Sequence, residues 1–311
     1  MATSSFTLAE TAPAPADDAW RTRNLGALLF AATGLCVRDK LGAMRTDGFD
    51  GVSEAQLALF HHVDLAGARL TTLAARANLT KQSMIELVDR AEALRLVERR
   101  PDPEDGRAKT VHLTAEGLLM LASLGRGIAA AEDRVRRAFG PHCFDETKRK
   151  LGNYAATGRD PLPLPGADGL RGSANIARVF AMAARRFSQE ALAVARDRSG
   201  ASIAEVLLTL FRNLDLQGSR LTDMAVRARV TKPSMQELVD RAEALGFVAR
   251  QPVPADGRAR MIVFTAAGLT MLGDVRHGVA VAEERFGRNV GAAFSARLKA
   301  RLIAYAAATR T

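Results

Sequence analysis

The chain has 311 residues, 48% of them apolar, and a net charge of +10. That length suits about two domains, the apolar share excludes a disordered chain, and the charge favours a polyanion as partner. With one Trp and two Tyr, the chain is poorly supplied for stacking unpaired bases on exposed rings, which argues against a single-strand binder.

The elements follow in chain order. Residues 1–19, rich in Ala, Pro, Ser and Asp, read as a flexible tail, and the absence of a basic start and apolar core excludes a signal peptide. From about Arg21 to Arg45, apolar residues at helical spacing (Leu25, Leu28, Leu29, Ala32, Leu35, Leu41) predict a long helix. Ser53 with Gln56 makes a capping box at the head of "SEAQLALFHHV". "TTLAARAN" predicts a short third helix, and Thr80 caps a fourth with Met84, Leu87, Val88, Ala91 and Leu94 on one stripe. The period then changes. "LVERR" and "KTVHL" predict two strands joined by "PDPEDGRA". Thr114 caps a long helix to about Phe139, and a last helix runs from about Asp145 to Thr157.

The same order then recurs. Lys81 and Lys232 stand 151 positions apart, as do Arg107 and Arg258, and no gap is needed from Asn24/Asn175 to Arg159/Arg310. Between Leu70 and Leu121, roughly three residues in five equal their counterparts. Ser202 and Glu205 repeat the capping box. A unit this long is a duplicated domain, not a solenoid repeat. The expected organisation is a tail (1–19), a first domain (20–160), a Pro/Gly-rich linker (161–174) and a second domain (175–311).

A short helix, a tight turn, a longer helix and a basic hairpin make a winged helix-turn-helix, which can place its second helix in the major groove. The "LVDR" helix, the "LVERR" strand, the Asp-x-Arg wing tip and the "LTAEG" stretch together resemble the DNA-binding core of the multiple-antibiotic-resistance regulator (MarR) family, in both copies. The resemblance implies a mainly α fold with small β-hairpin wings. It also implies two winged helix-turn-helix domains forming an intramolecular pseudodimer, because family members act as dimers. A cytoplasmic transcriptional regulator is expected, with double-stranded DNA as partner and no membrane.

The apolar stripe turns Lys81, Gln82, Ile85, Glu86 and Asp89 outward, and in the second copy Lys232, Pro233, Gln236, Glu237 and Asp240. Thr80, Lys81, Gln82 and Ser83, with Thr231, Lys232 and Ser234, sit at helix starts whose N–H groups favour phosphate. The plain alternative is a solvated face. At the wings, the resemblance implies that Asp105 orients Arg107, and Asp256 orients Arg258, for the minor groove; an exposed turn ion pair is the alternative. Arg99, Lys109, Arg250 and Arg260 are expected on phosphates. Glu86 and Glu237 depart from the family's usual basic or polar residue. Ile85 against Gln236 predicts unequal half-sites, since Ile suits a thymine methyl and Gln an adenine.

The remaining chemistry is sparse. His61 and His62 are adjacent and point apart on a helix, so no metal is expected. No nucleophile–base pairing, phosphate loop or carboxylate pair stands out, so neither enzyme nor cofactor is expected. Cys36 and Cys143 lack metal-ligand spacing and suit a reducing compartment. Cys36 reads as a small buried hydrophobe, although some relatives sense peroxide from that helix. The resemblance further implies a small aromatic or phenolic effector near Leu28, Leu59 and His62. A low-specificity architectural DNA binder, or a scaffold that no longer reads DNA, are the rival functions.

Overall fold

The computed structural model describes residues 19–77, 79–102, 105–156, 175–200, 204–228, 230–253 and 256–308, with the backbone alone at 106, 107, 253 and 256–259. The expected linker, Ser202, and all of the expected tail but Ala19 lie outside the described residues. The first copy comprises α1 (Trp20–Arg23), α2 (Leu25–Thr46), α3 (Glu54–Phe60), β1 (Ala68–Arg69), α4 (Leu70–Ala77), α5 (Lys81–Ala93), β2 (Val97–Asp102), β3 (Asp105–Leu113), α6 (Ala115–Phe139) and α7 (Pro141–Ala156). The second comprises α8 (Ile176–Ser199), α9 (Leu207–Asn213), β4 (Ser219–Arg220), α10 (Leu221–Ala228), α11 (Lys232–Ala244), β5 (Val248–Val253), β6 (Asp256–Phe264), α12 (Ala266–Val290) and α13 (Ala292–Ala308). Among the described residues, no helix is long and apolar enough to cross a membrane.

Four expectations need correction. The wing is three-stranded, not a simple hairpin: β1 pairs antiparallel with β3 through Ala68↔Val111 and Arg69↔Thr110, giving the order β1-β3-β2. The strands also run further than expected. The ladder continues from Val97↔Leu113 through Pro101↔Lys109 to Asp102↔Asp105, because β2 is an edge strand, where proline costs no ladder bond. The predicted first helix breaks at Asn24, and α7 begins at Pro141, earlier than expected.

The Asn24 break has a specific chemistry. Its side-chain oxygen accepts from the Ala27 N–H at 2.9 Å, and the Leu25 N–H donates to Glu283 on α12 at 3.0 Å. In the second copy, Asn175 accepts from the Arg178 N–H at 3.0 Å, and the Ile176 N–H donates to Glu132 on α6 at 3.0 Å. Each copy's long helix thus lends a carboxylate to the first turn of the other copy's leading helix, where negative charge offsets the helix dipole.

The chain divides into two compact units. One holds Leu29–Ala183 with residues from Phe294 onward; the other holds residues up to Leu28 with Ala184–Ala293. Each contains one complete head, the α3–α5 or α9–α11 bundle with its wing, and each takes in a segment of the other copy. In the first-head unit, Leu59, Val63, Leu73, Met84, Val88 and Ala91 are fully buried. In the second-head unit, Leu207, Leu210, Leu214, Met224, Met235 and Val239 are their equals. Burying each large side chain contributes about 1.5–3 kcal/mol. Gly117 lets α6 cross β2 closely, since a Cβ there would sit 2.0 Å from the Leu96 carbonyl oxygen.

One helix end differs between copies. After α5, Arg95 adopts φ 58°, where the second copy has Gly246 at φ 74°. In both, the next residue's N–H reaches back over the turn, Leu96 to Ala91 and Phe247 to Ala242, each at 2.9 Å. A side chain in that left-handed conformation costs about 1 kcal/mol. Arg95→Gly is therefore expected to raise stability by about 1 kcal/mol, and Gly246→Ala to lower it by a similar amount. Denaturant midpoints check both.

Candidate nucleic-acid interface

The recognition helix α5 gains its orientation from burial. Met84, Val88 and Ala91 are fully buried at helical spacing. That leaves Lys81, Gln82, Glu86 and Asp89 exposed and Ile85 half-buried. Thr80 caps the helix by accepting from the Ser83 N–H at 3.1 Å, and Thr231 does so from Ser234 at 3.2 Å. In each head the two hydroxyls also bond one another, at 2.9 and 2.8 Å. In the second head Lys232, Pro233 and Glu237 are exposed and Gln236 is half-buried, with proline in the first turn, where its missing N–H has no helical partner to lose.

The wing is locked to this helix by one arginine. The Arg99 backbone N–H donates to Glu92 at 3.0 Å, its guanidinium donates to the other oxygen of Glu92, and Nη2 reaches Asp89 at 2.6 Å. Arg250 repeats the arrangement with Glu243 and Asp240. Arg99 and Arg250, expected on phosphates, are thus engaged by carboxylates of the recognition helix. Asp240 also accepts from Gln236 at 2.8 Å, and the bonds from Arg250 and then Gln236 hold its carboxyl below the usual range. Asp89 has no such second partner from position 85, because Ile85 cannot donate. Glu86 accepts from Gln82 at 3.3 Å, so its charge is only weakly engaged.

Between α5 and the first wing lies an open groove, lined by Arg69, Lys81, Ile85, Asp89, Arg99 and Lys109 among others. Four of these six are cations and one is an anion, so the groove is net positive. Lys81 and Lys109 make no ion pair among the described residues, whereas Arg69 is held by the buried Asp102 at 2.5 Å. Arg69 escaped the sequence reading because β1 is too short to show alternation. Its partner has no equal in the second copy, where Val253 stands at that place. Asp105 and Arg260 are exposed. The side chains of Arg107, Asp256 and Arg258 lie outside the described residues, so the wing-tip expectation concerns positions whose backbone alone is described, at the turn of each hairpin.

The other expected residues are placed as follows. Leu28 is buried in the second-head unit, whereas Leu59, buried, and His62, half-buried, belong to the first-head unit. A cavity does exist in the second-head unit, formed by Trp20–Asn24, α8, α9 and α12. Sequence reading missed it because its wall includes the start of the chain, more than 160 residues from the helices it covers. Cys36 is fully buried, and burial pushes its thiol up to about 11, so it is no reactive thiolate at neutral pH. No cluster of three or more His, Cys, Asp or Glu able to hold a metal ion occurs among the described residues.

Comparison with known proteins adds the following. The family model described as "MarR family" matches residues 50–108 and again 205–259. No curated protein matches the chain. Several solved structures are similar. The repressor CouR bound to a 23-mer DNA duplex shares 23% identity over 40% of this chain and 88% of its own, with a TM-score of 0.33. The PcaV regulator of Streptomyces coelicolor, in complex with its natural ligand, shares 20% over 42% and 92%, with a TM-score of 0.32. The regulator Tm0710 of Thermotoga maritima shares 28% over 34% and 74%, with a TM-score of 0.27. Each family match spans one helix-turn-helix and reaches into its wing, and the two lie in separate heads. Each of the two winged helix-turn-helix heads thus carries its own match to the MarR family model, in tandem along one chain.

Proposed function

We propose that one chain acts as a complete two-headed reader of duplex DNA, a cytoplasmic repressor released by a small effector. The observation that carries the two-headed reading is the reciprocal capping of α2 by Glu283 and of α8 by Glu132, at 3.0 Å in each case. Such an exchange is what a symmetric dimer makes between subunits, here made within one polypeptide. Two recognition helices must meet half-sites about 34 Å apart. Joining them in one chain replaces bimolecular assembly with an effective concentration on the order of millimolar. A protein seated in successive major grooves excludes other proteins from that stretch, which is the physical basis of repression in this reading.

Affinity in this proposal comes from Lys81, Lys109, Lys232 and Arg260 on phosphates, with Arg107 and Arg258 in the minor groove beside Asp105 and Asp256. Base reading falls to Gln82, Ile85 and Glu86, and to Gln236 and Glu237, with the Thr80–Ser83 and Thr231–Ser234 helix starts facing phosphate. Arg99 and Arg250 act indirectly, by fixing the angle between helix and wing. The two heads differ at position 85/236, so the operator is an imperfect palindrome.

These roles are separable by measurement. Lys81→Gln and Lys109→Gln should each lower the salt slope of DNA binding by about one unit. Arg99→Gln should leave that slope unchanged and cost about 1 kcal/mol or more of stability. The double variant Arg107→Ala/Arg258→Ala should weaken binding by about 1–3 kcal/mol per wing; an unchanged affinity removes the wings from the mechanism. In binding-site selection, the natural chain should return unequal half-sites and Ile85→Gln more symmetric ones. Equal affinity for selected and random duplex would favour an architectural role, and no binding at all a scaffold.

A further inference from the structure

The two wings differ in how one arginine is held. In the first wing β1 and β2 flank β3, and Arg69 and Arg100 both stand opposite Thr110. The Arg69 Nε reaches across β3 and donates to Asp102 Oδ2 at 2.5 Å, and Asp102 is 6% exposed. One ion pair therefore spans the three-stranded sheet. It ties the strand that leads into α4 to the far strand of the wing. Taking the cation away from a buried carboxylate is costly, so Arg69 is committed to Asp102. Arg100 is engaged as well, donating to Glu98 from Nε at 2.9 Å and from Nη2 at 2.5 Å. The first wing thus matches each of these two arginines with an acid.

The second wing has one of the arginines and neither acid. At the 151-residue offset Asp102 becomes Val253, Glu98 becomes Ala249 and Arg100 becomes Gln251, while Arg69 becomes Arg220. The register is unchanged. Arg220 pairs with Met261 as Arg69 does with Thr110, and Val253 pairs with Asp256 as Asp102 does with Asp105. Valine and alanine side chains accept no hydrogen bond. Arg220 is exposed and makes no ion pair among the described residues. A guanidinium that braces a sheet needs its acid; an exposed one without it is available to an anion from outside. The place of the residue says which anion. Arg69, at the same register, lines the groove between α5 and the wing together with Lys81 and Lys109, the two first-head cations that the two-headed reading sets on phosphates.

We propose that Arg220 is a DNA-contact residue of the second head, seated on a backbone phosphate, whereas Arg69 is a positioning residue that braces the first wing through Asp102. The proposal rests on the two-headed reading above and gives a role to two residues which that reading leaves without one. A guanidinium suits the task, because it meets a phosphate with two parallel N–H bonds. The same arginine thus does different work in the two heads, and the acid or valine opposite decides which. The heads contribute unequally to salt-dependent affinity, the second holding one phosphate more at this register.

The test is the affinity of the full chain for a duplex carrying its selected site, measured across about 50–200 mM salt. Arg220→Gln should lower the slope of log affinity against log salt by about one, with the melting curve of the free chain unchanged. Arg69→Gln should leave the slope unchanged and lower the melting midpoint. Asp102→Val installs the second copy's residue and releases Arg69, so the slope should rise by about one. Val253→Asp installs the first copy's acid and engages Arg220, so the slope should fall by about one. Added to Arg220→Gln, it should lower the slope no further. A full slope in Arg220→Gln, an equal loss in Arg69→Gln, an unchanged slope in Asp102→Val, or additive losses in the Arg220→Gln/Val253→Asp pair would each overturn the proposal. A natural chain that binds no duplex overturns the two-headed reading together with it. A natural chain that binds, while Arg220→Gln keeps the full slope, overturns this proposal alone.

Discussion

Everything the heads can do depends on how α5 and α11 are held. Met84, Val88 and Ala91, and Met235, Val239 and Ala242, are each fully buried, so the rotation of each helix about its axis is fixed by the core. What faces outward follows: the residues between the stripe, two of them lysines at helix starts. Rotation alone does not set the angle to the wing. The Glu92–Arg99 and Glu243–Arg250 locks do, by tying the last turn of the helix to both backbone and side chain of the following strand. Partly buried charge pairs of this kind contribute modestly to stability, and their value here lies in register.

Duplication within one chain frees each copy from the symmetry that a homodimer imposes. The matching parts are structural: the Thr80 and Thr231 caps, the arginine locks, the Asn24 and Asn175 caps and the exchanged Glu132 and Glu283. The differing parts lie where partners would touch. Ile85 lines the groove where its counterpart is Gln236, and Arg69 is held by Asp102 where the second copy's sequence has Arg220 and Val253. A homodimer could acquire none of these differences, since every substitution would appear twice.

Much of this was legible in the sequence because it is local. The Ser53–Gln56 box, the Thr80 and Thr114 caps and the α5 stripe are patterns of neighbouring residues, and all are present in the structure. The strand ends were misjudged because Pro101 and Asp102 read as turn residues, although an edge strand tolerates both. β1 was invisible, being two residues long. The arginine locks, the Arg69–Asp102 pair and the cavity join residues that only the folded chain brings together. The cavity draws its walls from both copies, from Trp20 to Asn24 of the first and from α8, α9 and α12 of the second.

The central claim is that one polypeptide supplies both heads to one site. Sedimentation velocity of the full chain on a duplex carrying a single selected site tests it most directly. The account predicts a complex of one chain per duplex, formed without any prior dimerisation of the free protein. Two chains per duplex, each engaged through one head, would contradict it.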